Sequence, residues 1–275
     1  MTLPAYTRSG AGAPLVLLHG IGSSRQAWDP VVAALTAHFT VIAVDLPGFG
    51  GSPPLPAHVE PSPAALAAAV ARLLDQLGVT VPHLAGNSLG GWVALELAAI
   101  RPAASLTLLS PAGLWHGDTP LYGRVSLRAT RWLARHSAGL LSRLVDYRLG
   151  RALILGQTHG RPMRLTAGYA RAAIDAMGTC PGFDDVLDAT IRRRYQATAP
   201  IGAPVTIAFG SRDRLLLPHQ SRHLGQLPPG THVAALPRCG HLPMADDPEA
   251  VTAVIIESAG RAAARNRGTC AARAT

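Results

Sequence analysis

The run Ala85-Gly86-Asn87-Ser88-Leu89-Gly90-Gly91 joins an apolar segment, Val79 to Ala85, to a segment with helical spacing, Trp92 to Ala99. A serine between glycines at a strand-to-helix turn is typical of a nucleophile whose hydroxyl is exposed by a strained backbone. A glycine-rich turn with the serine as an ordinary N-cap is the plainer interpretation, because the chain contains 28 glycines. Two partners further along the chain favour the nucleophile.

Those partners are a candidate base and a candidate acid. A serine hydroxyl is a poor nucleophile until a base removes its proton, and His241 lies in a loop before the last predicted helix. Asp213 follows the strand-like run Val205 to Gly210 and is placed to orient that histidine. The rival strand, Leu106 to Leu109, is followed by no carboxylate. We therefore predict a catalytic triad of Ser88, Asp213 and His241.

An oxyanion formed at Ser88 also needs backbone donors. The N–H of Leu89 lies at a predicted helix N-terminus and is one candidate. The N–H of Ile21 is the other, in a glycine-containing loop after the short strand Leu15 to Leu18. Side chains or backbone near these groups are the candidate lining of a substrate pocket: Gly20, Gly22, Asn87, Trp115 and Leu242.

Other polar residues close to these positions have plainer interpretations. His19 is expected to hold its loop by hydrogen bonds and not to take part in catalysis. Asp246 and Asp247 are expected to serve as N-cap and first turn of the last helix, before Pro248. Cys239 is near His241 in sequence, but a second nucleophile is not expected there.

Together these motifs resemble the α/β-hydrolase superfamily, in its lidded, serine-nucleophile branch of esterases and lipases. The resemblance implies an α/β fold with a mostly parallel central sheet flanked by helices, a helical lid insertion, and catalysis without cofactor or metal. Ser88 departs from the branches with an aspartate nucleophile, the haloalkane dehalogenases and epoxide hydrolases. Leu242 departs from the carbon–carbon bond hydrolases, which usually have tryptophan there. In chain order, the matching residues are His19-Gly20, Asp45-Leu46-Pro47-Gly48-Phe49-Gly50-Gly51-Ser52, Gly86 to Gly91, Asp213 and Gly240-His241.

The alternation of apolar and helical runs predicts one domain with an insertion. The core is expected over residues 1–111 and 201–260, a helical lid over 112–200, and a disordered tail over 261–275. In the lid, an apolar face is expected opposite a row of arginines and buried on the core. The apolar residues are Leu121, Val125, Trp132, Leu133, Leu140, Leu141, Leu144 and Val145, and the arginines are Arg124, Arg128, Arg131 and Arg135.

Charge is concentrated in the predicted lid. Residues 111–200 contain thirteen arginines and six acidic residues, in a chain whose net charge is +9. Solvated arginine faces are the favoured interpretation, including for Arg192-Arg193-Arg194. A weak interfacial or anionic contact through the basic lid is the alternative. No motif indicates nucleic-acid binding, and the sequence leaves a homodimer open.

Other sequence features bear on compartment and cofactors. No run of about 18 apolar residues predicts an integral membrane segment. No secretory signal is visible at the N-terminus. Cys180, Cys239 and Cys270 are widely spaced, without metal-ligand spacing, and are expected to be reduced thiols in a cytoplasmic enzyme.

The sequence thus predicts a serine hydrolase that cleaves a carboxylic ester or related acyl bond of a small molecule through an acyl-enzyme. Three alternatives stay open. They are hydrolysis of a carbon–carbon bond in dienoate ring-cleavage products, acyl transfer to an alcohol or thiol, and ligand binding by a signalling protein on a hydrolase scaffold.

Overall fold

The computed structural model describes residues 2–273, with side chains through residue 264. Within these residues, one seven-stranded sheet has the order β1-β3-β2-β4-β5-β6-β7. The edge strand β1 is antiparallel to β3, and all other neighbours are parallel. The strands are β1 (Tyr6–Ser9), β2 (Ala13–Leu18), β3 (Phe39–Val44), β4 (His83–Asn87), β5 (Ser105–Leu109), β6 (Val205–Gly210) and β7 (His232–Leu236).

Helices cover both faces of the sheet and form most of the segment between β5 and β6. They are α1 (Asp29–Leu35), α2 (Pro63–Gln76), α3 (Leu89–Ile100), α4 (Leu121–His136), α5 (Ala138–Leu144), α6 (Arg148–Leu155), α7 (Ala167–Thr179), α8 (Phe183–Thr190), α9 (Pro218–Ser221), α10 (Pro243–Asp246) and α11 (Pro248–Arg273). The architecture confirms the predicted α/β-hydrolase fold with a mostly parallel sheet flanked by helices.

Two hydrophobic layers hold the helices on the sheet. Side chains alternate across a strand, so Val16 and Leu18 of β2 face the layer under α2 and α3, while Leu15 and Leu17 face the layer under α1 and α11. All residues of β3 and β6 are buried, as expected for parallel strands covered on both faces. The continuous apolar runs seen in the sequence therefore mark the sheet.

Some predicted boundaries differ from the structure. The strand before Ser88 begins at His83 rather than Val79, because Pro82 lacks the N–H that a ladder needs. Helix α1 is preceded by a short 3-10 turn, Arg25–Trp28, and ends at Leu35. The short helix α9 is followed by a 3-10 turn at Leu224–Gln226.

The segment 261–275, predicted from its composition to be a disordered tail, overlaps the last helix of the structure. Helix α11 continues through Arg273, past the expected boundary at residue 260. Alanine and arginine are both strong helix formers, so this composition can extend a helix once α11 has formed. Residues 274 and 275 lie outside the described part of the chain.

The cap, defined here as residues 112–200, contains α4 to α8 and has a small hydrophobic cluster of its own. The predicted orientation of α4 is wrong. Arg131 is buried and donates to the carbonyl oxygens of Met177 and Cys180, whereas Leu121, Val125 and Trp132 are exposed. Helix α4 approaches α7 closely at small residues, where a Cβ on Gly178 would lie 2.9 Å from the carbonyl oxygen of Ala134. The arginine therefore faces inward and the large apolar side chains face out.

Candidate active site

Ser88 occupies a strained turn between β4 and α3. Its φ is 53° and its ψ is −118°, a conformation that L-residues rarely adopt. Glycine is required at positions 86 and 90, because any side chain there would collide with neighbouring backbone. A Cβ on Gly86 would lie 2.2 Å from the carbonyl oxygen of Gly90, and a Cβ on Gly90 would lie 2.1 Å from that of Leu18. The backbone thus has the geometry expected of a nucleophile elbow.

His241 and Asp213 form a buried hydrogen-bonded pair. His241 Nδ1 donates to Asp213 Oδ2 at 2.8 Å, and the N–H groups of Leu215 and Leu216 donate to Oδ1, each at 2.9 Å. Burial alone would raise the pKa of Asp213, but the adjacent His241 and these two N–H groups outweigh burial and hold that pKa below its usual value. Because the carboxylate accepts the Nδ1 proton, Nε2 of His241 is the nitrogen left to act as a base.

The fold brings these residues together at one edge of the sheet. Ser88 follows β4, Asp213 follows β6 and His241 follows β7, all at the carboxyl ends of parallel strands. Ser88 and His241 line the same cavity. The loop after β2 reaches this edge too, since a Cβ on Gly20 would lie 3.1 Å from Cβ of Ser88.

The two predicted oxyanion donors are free to bind a ligand. Among the described residues, neither the N–H of Ile21 nor that of Leu89 donates a hydrogen bond. His19 has the structural role expected of it: Nδ1 donates to the carbonyl of Gly20 at 2.7 Å, and Nε2 accepts from Leu46 N at 3.0 Å. Its burial lowers its pKa, which favours the neutral ring that this pair of hydrogen bonds needs.

Asp246 has a different role from the one predicted. Its carboxylate accepts hydrogen bonds from the N–H groups of Gly160 and Gly240 at 2.7 Å and of Arg161 at 2.8 Å. The cap of α11 is Asp247 alone, whose Oδ1 accepts from Ala250 N at 3.2 Å. Asp246 therefore joins the cap to the loop that presents His241. Sequence spacing could not show this, because Gly160 is 86 residues away from Asp246 in the chain.

The cavity at the catalytic edge has a volume of about 810 Å³ and is mostly apolar. The predicted pocket residues Gly20, Gly22, Asn87 and Leu242 line it. Trp115 does not, and this prediction is corrected: its indole is buried against Trp92 and donates to the carbonyl of Arg193 at 2.9 Å. The apolar lining from the cap is Leu127, Leu133, Leu141, Leu144, Leu153, Ile154, Leu155, Ile174 and Met177.

Sequence reasoning missed several polar residues of this cavity. His159 and Tyr169 belong to the cap, and His159 Nε2 lies 3.3 Å from the Tyr169 hydroxyl. Burial lowers the pKa of His159 to about 4 and raises that of Tyr169, so both are neutral near pH 7. Asp29 also lines the cavity, and burial raises its pKa. The cap has no motif that could have indicated these positions.

Two further sequence interpretations concern residues outside the cavity. Arg192 and Arg193 line a separate charged depression, and Arg193 pairs with Glu60 at 2.7 Å.

Cys239 is fully buried, and burial raises its pKa to about 12, so its thiol is protonated at neutral pH. Cys180 is a buried free thiol as well, and the side chain of Cys270 lies outside the described residues.

Comparisons with known proteins agree with this architecture. A sequence model of the alpha/beta hydrolase family matches residues 15–254, and the chain therefore belongs to that family. A thermophilic esterase from Thermogutta terrifontis superposes with a TM-score of 0.75 at 24% identity, over 94% of this chain and 93% of that one. At this identity the likeness shows the fold.

Two relatives illustrate the range of activities among similar sequences. An epoxide hydrolase of Mycobacterium tuberculosis is 32% identical over 206 residues, which is 70% of this chain and 93% of that protein. The dihydrolipoyllysine-residue acetyltransferase component of the acetoin cleaving system of Cupriavidus necator is 32% identical over 250 residues. That match covers 86% of this chain, which spans 61% of the length of the Cupriavidus protein.

Proposed function

We propose that this protein is a serine hydrolase that cleaves carboxylic esters with a neutral, apolar acyl group through an acyl-enzyme. The observation that supports this most strongly is the relation between Ser88 and the His241–Asp213 pair. Ser88 has the strained backbone of an elbow, and His241, bonded to Asp213, lines the same cavity. This is the set of groups that acyl transfer from an ester requires.

In the proposed reaction, Ser88 Oγ attacks the ester carbonyl while Nε2 of His241 takes its proton. Asp213 keeps the imidazole in the required tautomer and stabilises its cation. The N–H groups of Ile21 and Leu89 donate to the developing oxyanion, and each such donor typically lowers the barrier by ~3 kcal/mol. His241 then protonates the leaving alcohol and activates the water that frees the acyl group.

The cavity lining supports an uncharged substrate. None of the described cavity residues is arginine, although the chain has 25 basic residues, and Asp29 contributes a carboxyl group to the lining. A substrate carboxylate would enter this apolar space without a cationic partner, which is unfavourable. This disfavours the dienoates of carbon–carbon bond hydrolysis, in agreement with Leu242 after His241. An uncharged acyl chain would instead bury its apolar surface against the leucines of the cap.

The nature of the nucleophile separates this proposal from epoxide opening. The family resemblance places an aspartate at the nucleophile position of epoxide hydrolases, and this chain has Ser88 there. An attack by serine on a carbonyl gives an ester that water can cleave with the help of His241. An attack by serine on an epoxide would give a stable ether, which His241 and water could not hydrolyse.

The test is hydrolysis of a series of p-nitrophenyl esters, from short to long acyl chains, by the wild type and by Ser88→Ala. We expect turnover that rises with chain length until the cavity is filled, and no turnover above background for Ser88→Ala. Ser9→Ala, at an exposed serine of the edge strand β1 away from the cavity, is the matched control and should behave like wild type. Equal turnover by Ser88→Ala, or none by any folded form, would contradict the proposal.

Product analysis with an added alcohol or thiol completes this test. Release of free acid as the main product supports hydrolysis. Predominant formation of a new ester or thioester would show that the acyl group is transferred instead. Tight binding of a ligand without turnover of any ester would favour the signalling alternative.

A further inference from the structure

The cap has an unusual outer surface for a folded domain. Eleven of the fifteen large apolar side chains that are exposed in the described residues lie between Leu121 and Met163. We call this set the outer cap face. Its members are Leu121, Tyr122, Val125, Trp132, Leu133, Leu140, Leu144, Tyr147, Leu149, Leu153 and Met163. A concentration of exposed apolar side chains in one segment of a folded domain is typical of a place where another surface is bound.

The orientation of two helices produces this face. On α4, Arg131 points inward to the carbonyls of Met177 and Cys180 while Trp132 is 59% exposed. On α6, Arg151 is buried and donates to the carbonyl of Val145 at 2.6 Å, while Leu149 and Leu153 are 77% and 82% exposed. Both helices thus bury an arginine and expose leucine or tryptophan, the reverse of the usual arrangement at a water-exposed surface.

The same segment is strongly basic. Residues 121–164 contain nine arginines and one acidic residue, Asp146, which gives them a net charge of +8. Asp146 is already paired with Arg171. Arg143 and Arg148 are exposed, are chain neighbours of Leu144, Tyr147 and Leu149, and have no ion pair among the described residues. A partner for this surface must therefore be apolar and negatively charged.

The outer cap face is continuous with the cavity at the catalytic edge. Leu133, Leu144 and Leu153 are exposed and also line that cavity. A surface bound to this face would therefore lie beside the entrance through which a substrate reaches Ser88.

We propose that the outer cap face binds the surface of an anionic lipid bilayer. Exposed leucine and tryptophan beside arginine are the side chains that insert into the headgroup region, where the arginines meet lipid phosphates. A second copy of this chain would bring its own exposed Arg143 and Arg148 against those of the first, so self-association through this face is disfavoured. Peripheral binding needs no spanning segment, and none of the helices in the described residues combines the length and apolar character that crossing a bilayer requires. The binding does not depend on the reaction proposed above.

The first test is co-sedimentation of the full chain with vesicles of phosphatidylcholine and phosphatidylglycerol, and with vesicles of phosphatidylcholine alone. We expect binding to the anionic vesicles that weakens with added salt, and much weaker binding to the neutral ones. Leu140→Glu/Leu149→Glu should reduce this binding by more than about tenfold. The matched control is Ile100→Glu, which changes an exposed apolar residue at the end of α3, outside the cap, and should bind like wild type.

The tryptophans provide an independent readout. Trp28, Trp92 and Trp115 are buried, and Trp132 is the exposed fourth. A blue shift of the intrinsic fluorescence on adding anionic vesicles, with quenching by brominated lipid, would place Trp132 in the bilayer. Arg143→Gln/Arg148→Gln should weaken the shift without altering the free protein's spectrum.

Several outcomes would overturn the proposal. They are no binding to anionic vesicles at low salt, unchanged binding by the folded double glutamate variant, or equal binding to neutral vesicles. A concentration-dependent dimer that the glutamate variant abolishes, without vesicle binding, would assign the face to self-association. Binding to an acidic polypeptide but not to vesicles would assign it to a protein partner.

Discussion

Asn87 donates one amide hydrogen to the carbonyl oxygen of His241 at 2.8 Å and the other to that of Leu109 at 3.0 Å. These hydrogen bonds join the residue before Ser88 to the loop that presents the base. The distance between Ser88 and His241 is thus controlled by a fully buried side chain that is itself next to the nucleophile.

Replacing Asn87 with alanine tests this positioning role. Asn87→Ala removes the side-chain donor to the carbonyl of His241, which typically costs about 1–3 kcal/mol of stability for a buried polar group, while the carbonyl of Leu109 keeps its hydrogen bond from Ser88 N. Since the imidazole is then less well fixed, we expect kcat for the p-nitrophenyl esters to fall by roughly tenfold or more with little change in KM. Steady-state kinetics alongside urea denaturation would measure both. Reduced stability with an unchanged kcat would show that Asn87 is merely structural.

The neighbouring aspartates Asp246 and Asp247 should differ sharply in their effect on stability. Asp246→Ala leaves the N–H groups of Gly160, Arg161 and Gly240 without their acceptor, and Asp247→Ala removes one N-cap hydrogen bond and a partly exposed ion pair with Arg161. We expect about 3 kcal/mol or more to be lost from the free energy of unfolding in the first variant, against about 1 kcal/mol in the second. Chemical denaturation of the two variants in parallel gives the comparison. Equal losses would mean that Asp246 does not join the cap to the His241 loop.

Gly90, in the turn that follows Ser88, can be compared with Gly139, a glycine with open space around it. Gly90→Ala would place a Cβ 2.1 Å from the carbonyl oxygen of Leu18, where backbone must move, whereas a Cβ at Gly139 of α5 would meet no atom within 4 Å. We expect Gly90→Ala to unfold at a markedly lower temperature and to lose ester hydrolysis. Gly139→Ala should be neutral or stabilising by up to about 1 kcal/mol. Thermal unfolding followed by circular dichroism separates them, and a normal melting temperature for Gly90→Ala would show that the turn is less crowded than described.

The buried His159 makes stability depend on pH. Burial lowers its pKa to about 4 in the folded protein, from an ordinary value of 6.5. Between these two values the unfolded chain binds a proton at this residue and the folded protein does not, so the free energy of unfolding falls as the pH is lowered from 6.5 to 4. His159→Gln, which cannot be protonated, should show a shallower decline over this interval. Urea denaturation at several pH values measures it, and identical slopes for variant and wild type would contradict the assignment.

How far the sequence determines this molecule differs between the core and the cap. The elbow around Ser88 could be predicted because Gly86 and Gly90 flank the serine in a short local pattern, and the order of Asp213 and His241 follows from the order of the strands. The orientation of α4 could not be predicted, because the sequence does not show whether the apolar face of this helix packs on the core or faces solvent. It is decided by the close approach of α4 and α7 and by carbonyls that accept from Arg131. The sequence position of Trp115 likewise does not show which way its side chain points. In the structure its ring packs on Trp92, away from the cavity.

The hydrogen bonds of Asp246 could not be predicted from the sequence either. Its position just before Pro248 predicts a helix cap, and local sequence gives no sign that a loop of the cap segment presents the N–H groups of Gly160 and Arg161. Hydrogen bonds between distant parts of a chain depend on the packing of whole elements. His159 and Tyr169 reach the cavity for this reason too.

The most direct test of the proposed mechanism is the site of covalent modification during turnover. The protein is mixed with a p-nitrophenyl ester and quenched within the pre-steady-state burst, and its peptides are then mapped by mass spectrometry. The mechanism predicts one acyl group per molecule, attached to Ser88, and none in Ser88→Ala. An acyl group on another residue, or ester hydrolysis by a fully active preparation in which Ser88 is never modified, would contradict it.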